Sequence, residues 1–150
     1  MTVELINTGS ELLLGRVLNT HQQWLCRRLA DEGHTVTRQL AVPDDGGSIE
    51  GAVRESLGRA DVVITTGGLG STGDDLTRDR VAALLGRTLV PDAAVAAQVK
   101  HYFESRGRPV PARTFVETLV PSGARVLPNR QGTAPGLALQ VSPNPFRQTG

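Results

Sequence analysis

Val62-Val63-Ile64-Thr65-Thr66-Gly67-Gly68-Leu69-Gly70-Ser71-Thr72-Gly73-Asp74-Asp75-Leu76-Thr77 joins an apolar run to a glycine turn and two adjacent carboxylates. Val62 to Ile64 show no polar alternation, which predicts a strand covered on both faces in a parallel sheet. The glycines at 67, 68, 70 and 73 let the backbone turn sharply and approach a ligand without Cβ interference. Successive N–H groups in such a turn cradle an anion. Asp74 and Asp75 would repel a bare phosphate, and a divalent cation between them reverses that.

Two other patterns compete for the same residues. Gly68-Leu69-Gly70-Ser71-Thr72-Gly73 has dinucleotide-fingerprint spacing, with Asp92 about 20 residues on. That fingerprint leaves the helix N-terminus free for pyrophosphate, whereas here two acids occupy it. The phosphate-loop ATPase pattern fails for lack of Gly-Lys-Ser/Thr. A purely structural alternative makes Asp74 or Asp75 a helix cap. A cap needs only one of them.

Outward from this stretch, strand and helix signals alternate. Val3 to Thr8 reads as an edge or first strand running into the glycine-bracketed Gly9-Ser10-Glu11-Leu12-Leu13-Leu14-Gly15. A Thr20/Gln23 capping box and the apolar face Leu25, Cys26, Leu29, Ala30 predict a helix over about 19–32. Thr35 to Val42 is the next strand and Pro43 to Gly47 its loop. Ser48 then caps a helix carrying Ile49, Ala52, Val53, Ser56 and Leu57. Three strands separated by helices predict right-handed crossovers and a parallel sheet that binds ligand at its carboxyl edge. The loops Gly9 to Gly15, Asp44 to Gly47 and Gly67 to Asp75 are expected on that edge, with Ser10, Glu11 and Asp45 as contacts of second rank and the 132–135 loop closing over them.

Past the glycine loop, Thr77 to Leu85 reads as a helix with Val81, Leu84 and Leu85 inward, and Thr88 to Val90 as a short strand. Asp92 caps a helix with Val95, Ala96, Val99, Tyr102 and Phe103 on one face. His101 beside it reads as a surface histidine. Ala112, Phe115, Val116 and Leu119 suggest a short helix. Arg125 to Leu127 and Gly136 to Val141 read as strands joined by a polar, proline-rich loop. Residues 142–150 have the composition of a linker or frayed end.

Composition narrows the function classes. A chain of 150 residues fits one domain burying about 70% of its unfolded surface. A net charge of +1, spread along the chain, leaves no footprint for nucleic acid or anionic lipid. One Trp, one Tyr and three Phe provide no base-stacking platform. The lone Cys26 excludes disulfides, predicts a reducing cytoplasmic setting and reads as a small core residue. No run of apolar residues is long enough for a membrane span.

The glycine stretch, Gly9-Ser10-Glu11-Leu12-Leu13-Leu14-Gly15 and Gly132-Thr133-Ala134-Pro135-Gly136 together resemble the N-terminal domain of competence/damage-inducible CinA proteins. That domain is similar to the molybdopterin-binding fold of MoaB and MogA. The resemblance covers residues 1 to about 139. It implies a three-layer α/β/α sandwich with a mostly parallel sheet, whose glycine loop holds a nucleotide or pterin phosphate. It also implies metal-dependent ADP-ribose pyrophosphatase activity. Asp74 and Asp75 would hold Mg²⁺, Mn²⁺ or Co²⁺, with Gly9, Ser10, Glu11, Gly67, Gly68, Gly70, Ser71, Thr72, Thr77, Gly132 and Thr133 at the ligand. Relatives of this fold self-associate, so a homo-oligomer is expected.

Several positions depart from the family pattern. Ser10 stands for Thr and keeps the hydroxyl, Ser71 stands for Pro, and Arg130-Gln131 replace Pro-Val. Nothing after Val141 matches the family's last strand and Leu-Pro-Gly-Pro-Pro loop, so the domain is expected to occupy 1–141 without them, followed by a 142–150 tail. The resemblance reaches no part of the deamidase domain of whole CinA proteins, and no deamidase activity is expected of these residues. The alternatives are a module that binds molybdopterin or a nucleotide without turnover, and a degenerate remnant.

Overall fold

The computed structural model describes residues 1–148. Its contacts separate into two compact units, one formed by Met1–Gly68 with the segment from Pro143 onward, the other by Leu69–Ser142.

The first unit holds a parallel three-stranded sheet. Strands β1 (Thr2–Thr8), β2 (Thr35–Val42) and β3 (Val62–Thr66) are ordered β2-β1-β3. The short helix α1 (Ser10–Leu13) and helix α2 (Thr20–Asp31) lie between β1 and β2, and α3 (Gly46–Leu57) between β2 and β3. Because the sheet is built outward to one side and then the other, right-handed crossovers put α2 and α3 on opposite faces. The expected α/β class with a parallel sheet is what the chain adopts.

The strand roles differ from expectation. β1 is the central strand and is buried from Val3 to Thr8, whereas β3 is an edge strand, half-buried throughout. The polar residues of β1 tolerate this because each has a partner. Asn7, with no exposed surface, donates to Gln22 Oε1 and Leu40 O, both at 3.2 Å, and accepts from Thr66 Oγ1 at 2.8 Å. Glu4, 3% exposed, accepts from Ser56 Oγ at 2.6 Å and from Arg59 through both carboxylate oxygens.

Caps and packing faces also shift. Asn19, not Thr20, caps α2 by accepting from Gln22 N–H at 3.1 Å, and Asp45, not Ser48, caps α3. Cys26 is half-buried and accepts from Gln39 Nε2 at 3.0 Å, so it is no core residue. Ile49, Ala52, Val53 and Ser56 of α3 are buried as expected. The tail is tied down rather than frayed. Asn144 Nδ2 donates to Leu57 O, and Arg147 to Ala60 O, each at 2.8 Å, while Arg54 lies 5.0 Å over the Phe146 ring. Thr149 and Gly150 lie outside the described residues.

The second unit contains α4 (Thr77–Leu84), the β4/β5 pair (Leu89–Pro91, Leu119–Pro121), α5 (Ala93–Glu104), a 3-10 helix (Ala112–Thr118) and the β6/β7 pair (Arg125–Leu127, Gly136–Ala138). Asp92 caps α5 by accepting from Val95 N–H at 2.9 Å. Val95, Val99 and Val120 form the core, with Phe103, Val126 and Leu137 against it. The 3-10 helix inverts the expected face: Thr114, Glu117 and Thr118 are buried while Phe115 and Val116 are exposed. In α4 the buried residues are Thr77, Arg78 and Ala82 instead of Val81, Leu84 and Leu85.

Two carboxyls make the first unit acid-sensitive. Burial alone would raise the Glu4 carboxyl, but the hydrogen bonds from Arg59 and Ser56 and the Arg59 charge outweigh it and hold it below its ordinary 4.5. Asp61 is lowered from 3.8 to about 2, chiefly by the Thr2 N–H, then by Arg147 and the Thr2 hydroxyl. Groups lowered on folding stabilise above their unfolded values and lose that contribution as pH falls through the folded ones. Stability is therefore expected to decline from about pH 4.5 toward pH 2. Glu4→Gln should flatten the upper part of that decline and cost about 2 kcal/mol at pH 7, because it weakens charge-assisted bonds to a buried serine and an arginine. Urea denaturation at pH 7, 4 and 2.5 checks both; an unchanged slope in the variant would assign the acid sensitivity elsewhere.

Candidate functional site

The three parallel strands end on one edge of the first unit. Gly9 follows β1, Asp44 and Asp45 follow β2, and Gly67-Gly68 follow β3. Connections leave β1 toward β2 and arrive at β3 on its other side, so the switch point lies between the Gly9 and Gly67 turns. Gly67 has φ +92, and a Cβ there would sit 2.5 Å from Thr8 Oγ1 and 2.6 Å from Thr8 O. Only glycine lets the two turns meet this closely.

Ser10 and Glu11 open α1, both exposed. Ser10 N–H donates to Asp44 Oδ2 at 3.1 Å, and Asp44 N–H donates to Ser10 Oγ at 3.4 Å. This couple ties the β1 and β2 loops together. It leaves the Ser10 hydroxyl proton available. Asp45 caps α3: its carboxylate accepts from the Ser48 hydroxyl at 2.7 Å and the Ser48 N–H at 2.8 Å. Those bonds, the hydroxyl first, hold the Asp45 carboxyl below its ordinary value.

In the second unit, Gly70 and Ser71 are half-buried, Thr72 and Asp74 exposed, and Asp75 half-buried. Asp75 Oδ2 accepts from Thr72 N–H at 2.9 Å. The Thr72 hydroxyl also lies within hydrogen-bond distance of both carboxylates, 2.6 Å from Asp74 Oδ1 and in short contact with Asp75 Oδ2. A hydroxyl has one proton to give. One of the two contacts thus sets an oxygen lone pair against a carboxylate, a repulsion relieved by a proton on one of the carboxyls or by a cation nearby. The Thr72 hydrogen bond holds the Asp74 carboxyl below its ordinary value. Gly70 completes this corner, since a Cβ there would sit 2.6 Å from Asp75 Oδ2.

Thr77, expected as a hydroxyl contact, is 1% exposed and its Oγ1 has no partner among the described residues. Gly132 N–H donates to Asn129 Oδ1 at 3.1 Å, and Thr133 is half-buried beside it. Asn129 also binds Gln131 N–H and Ala134 O, both at 2.9 Å, and so organises the late loop from within.

The sequence reading passed over Arg78. It is 3% exposed, and its Nη1 and Nη2 donate to Leu69 O at 3.0 Å and Gly70 O at 3.2 Å. Burial pushes the guanidinium down from its ordinary value, opposed by the charges of Asp79, Glu117 and Asp75. The available signal was a cation in the first turn of a helix, where the dipole disfavours it.

A family model described as a probable molybdopterin binding domain matches residues 4–145. A CinA-like protein of Akkermansia muciniphila is 49% identical over 140 residues, which are 93% of this chain and 34% of that protein. The chain thus spans about a third of the length of the curated relatives it matches. The crystal structure of CinA from Thermoplasma acidophilum, described as of unknown function, superposes with a TM-score of 0.81 at 33% identity, covering 91% of this chain and 79% of that one. MoaB from Thermus thermophilus shares the fold, with a TM-score of 0.55 at 22% identity over 80% of this chain and 78% of its own. Sequence motifs, parallel sheet and glycine loop agree with these likenesses: the chain belongs to the probable molybdopterin binding domain family, as a CinA/MoaB-like domain of the kind found at the N-terminus of CinA proteins.

Proposed function

We propose that this chain is a divalent-cation-dependent pyrophosphatase acting on a nucleoside diphosphate sugar, ADP-ribose. The observation that carries it is the convergence of Asp74 and Asp75 on the single Thr72 hydroxyl, which gathers two carboxylates at one corner of the loop. The donors there are hard oxygens. Among the described residues no group of three or more His, Cys, Asp and Glu gathers as a cation cage. That composition fits Mg²⁺ or Mn²⁺, which take one or two carboxylates and complete their coordination with water and substrate phosphate, and does not fit a structural zinc site. Asp74 and Asp75 would hold the ion, and when bound it supplies charge neutralisation at the pyrophosphate and a water of lowered pKa.

The remaining tasks fall to the chain. Thr72 keeps the two carboxylates together. Gly70 and Ser71 offer N–H groups to phosphate oxygens, and the Ser71 hydroxyl a further donor. Water adds across the P–O–P bond to give AMP and ribose 5-phosphate. The family's description, probable molybdopterin binding, supports a pterin or nucleotide phosphate as the class of ligand. Purified protein is expected to release AMP from ADP-ribose with Mn²⁺, Mg²⁺ or Co²⁺ and to stop on chelation. Calorimetric binding of ADP-ribose with no release under any of these ions would make it a binding module instead.

Self-association is also proposed. Leu13, Leu14, Val17, Leu18 and Trp24 are more than half exposed within one short stretch of the first unit, a density that marks an interaction surface. Sedimentation velocity at micromolar concentration should show a species larger than one chain, and Leu18→Asp should return it to monomer. A wild-type monomer would leave that face without the proposed partner.

A further inference from the structure

We propose that Arg78 is the positioning residue of the glycine loop: by holding the Leu69 and Gly70 carbonyls with one planar guanidinium, it aims the following two amides, Gly70 N–H and Ser71 N–H, together at an anionic ligand. This rests on the reading of the loop as a phosphate site and adds the residue that shapes it.

Peptide planarity carries the step from carbonyl to amide. In a trans peptide the C=O of one residue and the N–H of the next point in opposite directions. Leu69 O and Gly70 O both turn toward Arg78, at 3.0 and 3.2 Å. Gly70 N–H and Ser71 N–H therefore turn away from it as a pair. Among the described residues neither amide has an acceptor, whereas the next, Thr72 N–H, is taken by Asp75. The loop thus shows two free donors and then an acid, in the order that a phosphate with a cation beside it would meet.

Arginine suits the task better than any other side chain. Its rigid fork fixes two acceptors at once, where a lysine offers a single freely rotating centre. Its hydrogen bonds among the described residues go to the loop alone, with Nε buried and without a partner. Arg78 is buried to 3% exposure in the first turn of α4, against the helix dipole. Among the described residues no carboxylate forms an ion pair with it, although Glu117, itself 4% exposed, has an unpartnered buried oxygen. A cation kept in so unfavourable a place, and turned onto two backbone carbonyls, is explained by what those carbonyls must do.

The experiment titrates inorganic pyrophosphate with Mg²⁺ into ¹⁵N-labelled protein and follows the Gly70 and Ser71 amide resonances. In the wild type both should shift. In Arg78→Met they should shift little, with pyrophosphate affinity down roughly tenfold or more, as loss of charge-assisted geometry implies. Arg78→Lys should recover the fold and part of the affinity, and serves if Arg78→Met does not fold. Added guanidinium should partly restore binding to Arg78→Ala. Shifts in Arg78→Met, or in Arg78→Lys if Arg78→Met does not fold, equal to those of the wild type, or no shift of either amide in wild type, would overturn the proposal. If the amides respond as expected while ADP-ribose is never hydrolysed, the pyrophosphatase reading fails and the role of Arg78 stands.

Discussion

Asp75→Ala is expected to lower cation-dependent turnover of ADP-ribose by about 10²–10³-fold or more, the range seen when a preorganised electrostatic group is removed. Asp75 is singled out over Asp74 because it does two things at once. Its Oδ2 supplies negative charge beside Asp74, and it also accepts the Thr72 N–H at 2.9 Å, bracing the loop. Asp74 is exposed, and the side chain that reaches it is the Thr72 hydroxyl. Asp75→Asn separates the two functions, because the amide oxygen still accepts from Thr72 while the charge is gone. Both variants should lose Mn²⁺ affinity by calorimetry and AMP release in single turnover. Only the alanine variant should speed hydrogen exchange at Thr72. Turnover in Asp75→Ala within an order of magnitude of wild type, with cation dependence intact, would remove Asp75 from the metal site.

Gly67→Ala should cost about 3 kcal/mol of stability, combining about 1 kcal/mol or more for a left-handed backbone with the overpacking of a close contact. At φ +92 the added methyl would meet Thr8 Oγ1 at 2.5 Å and Thr8 O at 2.6 Å. The carbonyl is backbone of the central strand and cannot move aside as a side chain tip would. For a domain of this size the loss corresponds to roughly a 10 °C fall in Tm. Gly15→Ala supplies the comparison, since it has φ +67 and nothing within 4 Å of the added carbon. It should lose only about 1 kcal/mol, the backbone share. Equal losses in the two variants would mean that contact with Thr8 is not what requires glycine at 67.

The elements that repeat a local rule were legible in the sequence. Thr35 to Val42, the α3 face and the Asp92 cap were recovered because periodicity and capping are short-range signals. What escaped was decided by partners far along the chain. β1 reads as an edge or first strand, yet Arg59, Ser56, Gln22 and Thr66 satisfy its Glu4 and Asn7 and allow it to be central. The apolar run of β3 suggested full burial, but its place at the edge of the sheet leaves it half-covered. In the candidate site the two acids announced themselves by adjacency. Arg78 did not, because nothing in its local sequence says that a charged residue near a helix start turns inward.

The anchoring of the tail bears on the order in which the chain matures during synthesis. The three strands of the parallel sheet are complete once Thr66 has emerged, and β1 can then pair on both sides. The bonds from Asn144 and Arg147 to Leu57 and Ala60 span 87 residues, so the first unit has to wait for the whole of the second to be translated before its last hydrogen bonds close. A nascent chain stalled between those points carries an assembled sheet with Ala60 O still unfastened. Its most exposed moment is set by ribosome pace rather than by diffusion, since translation runs at about 5–20 residues per second, far slower than hairpin or loop closure.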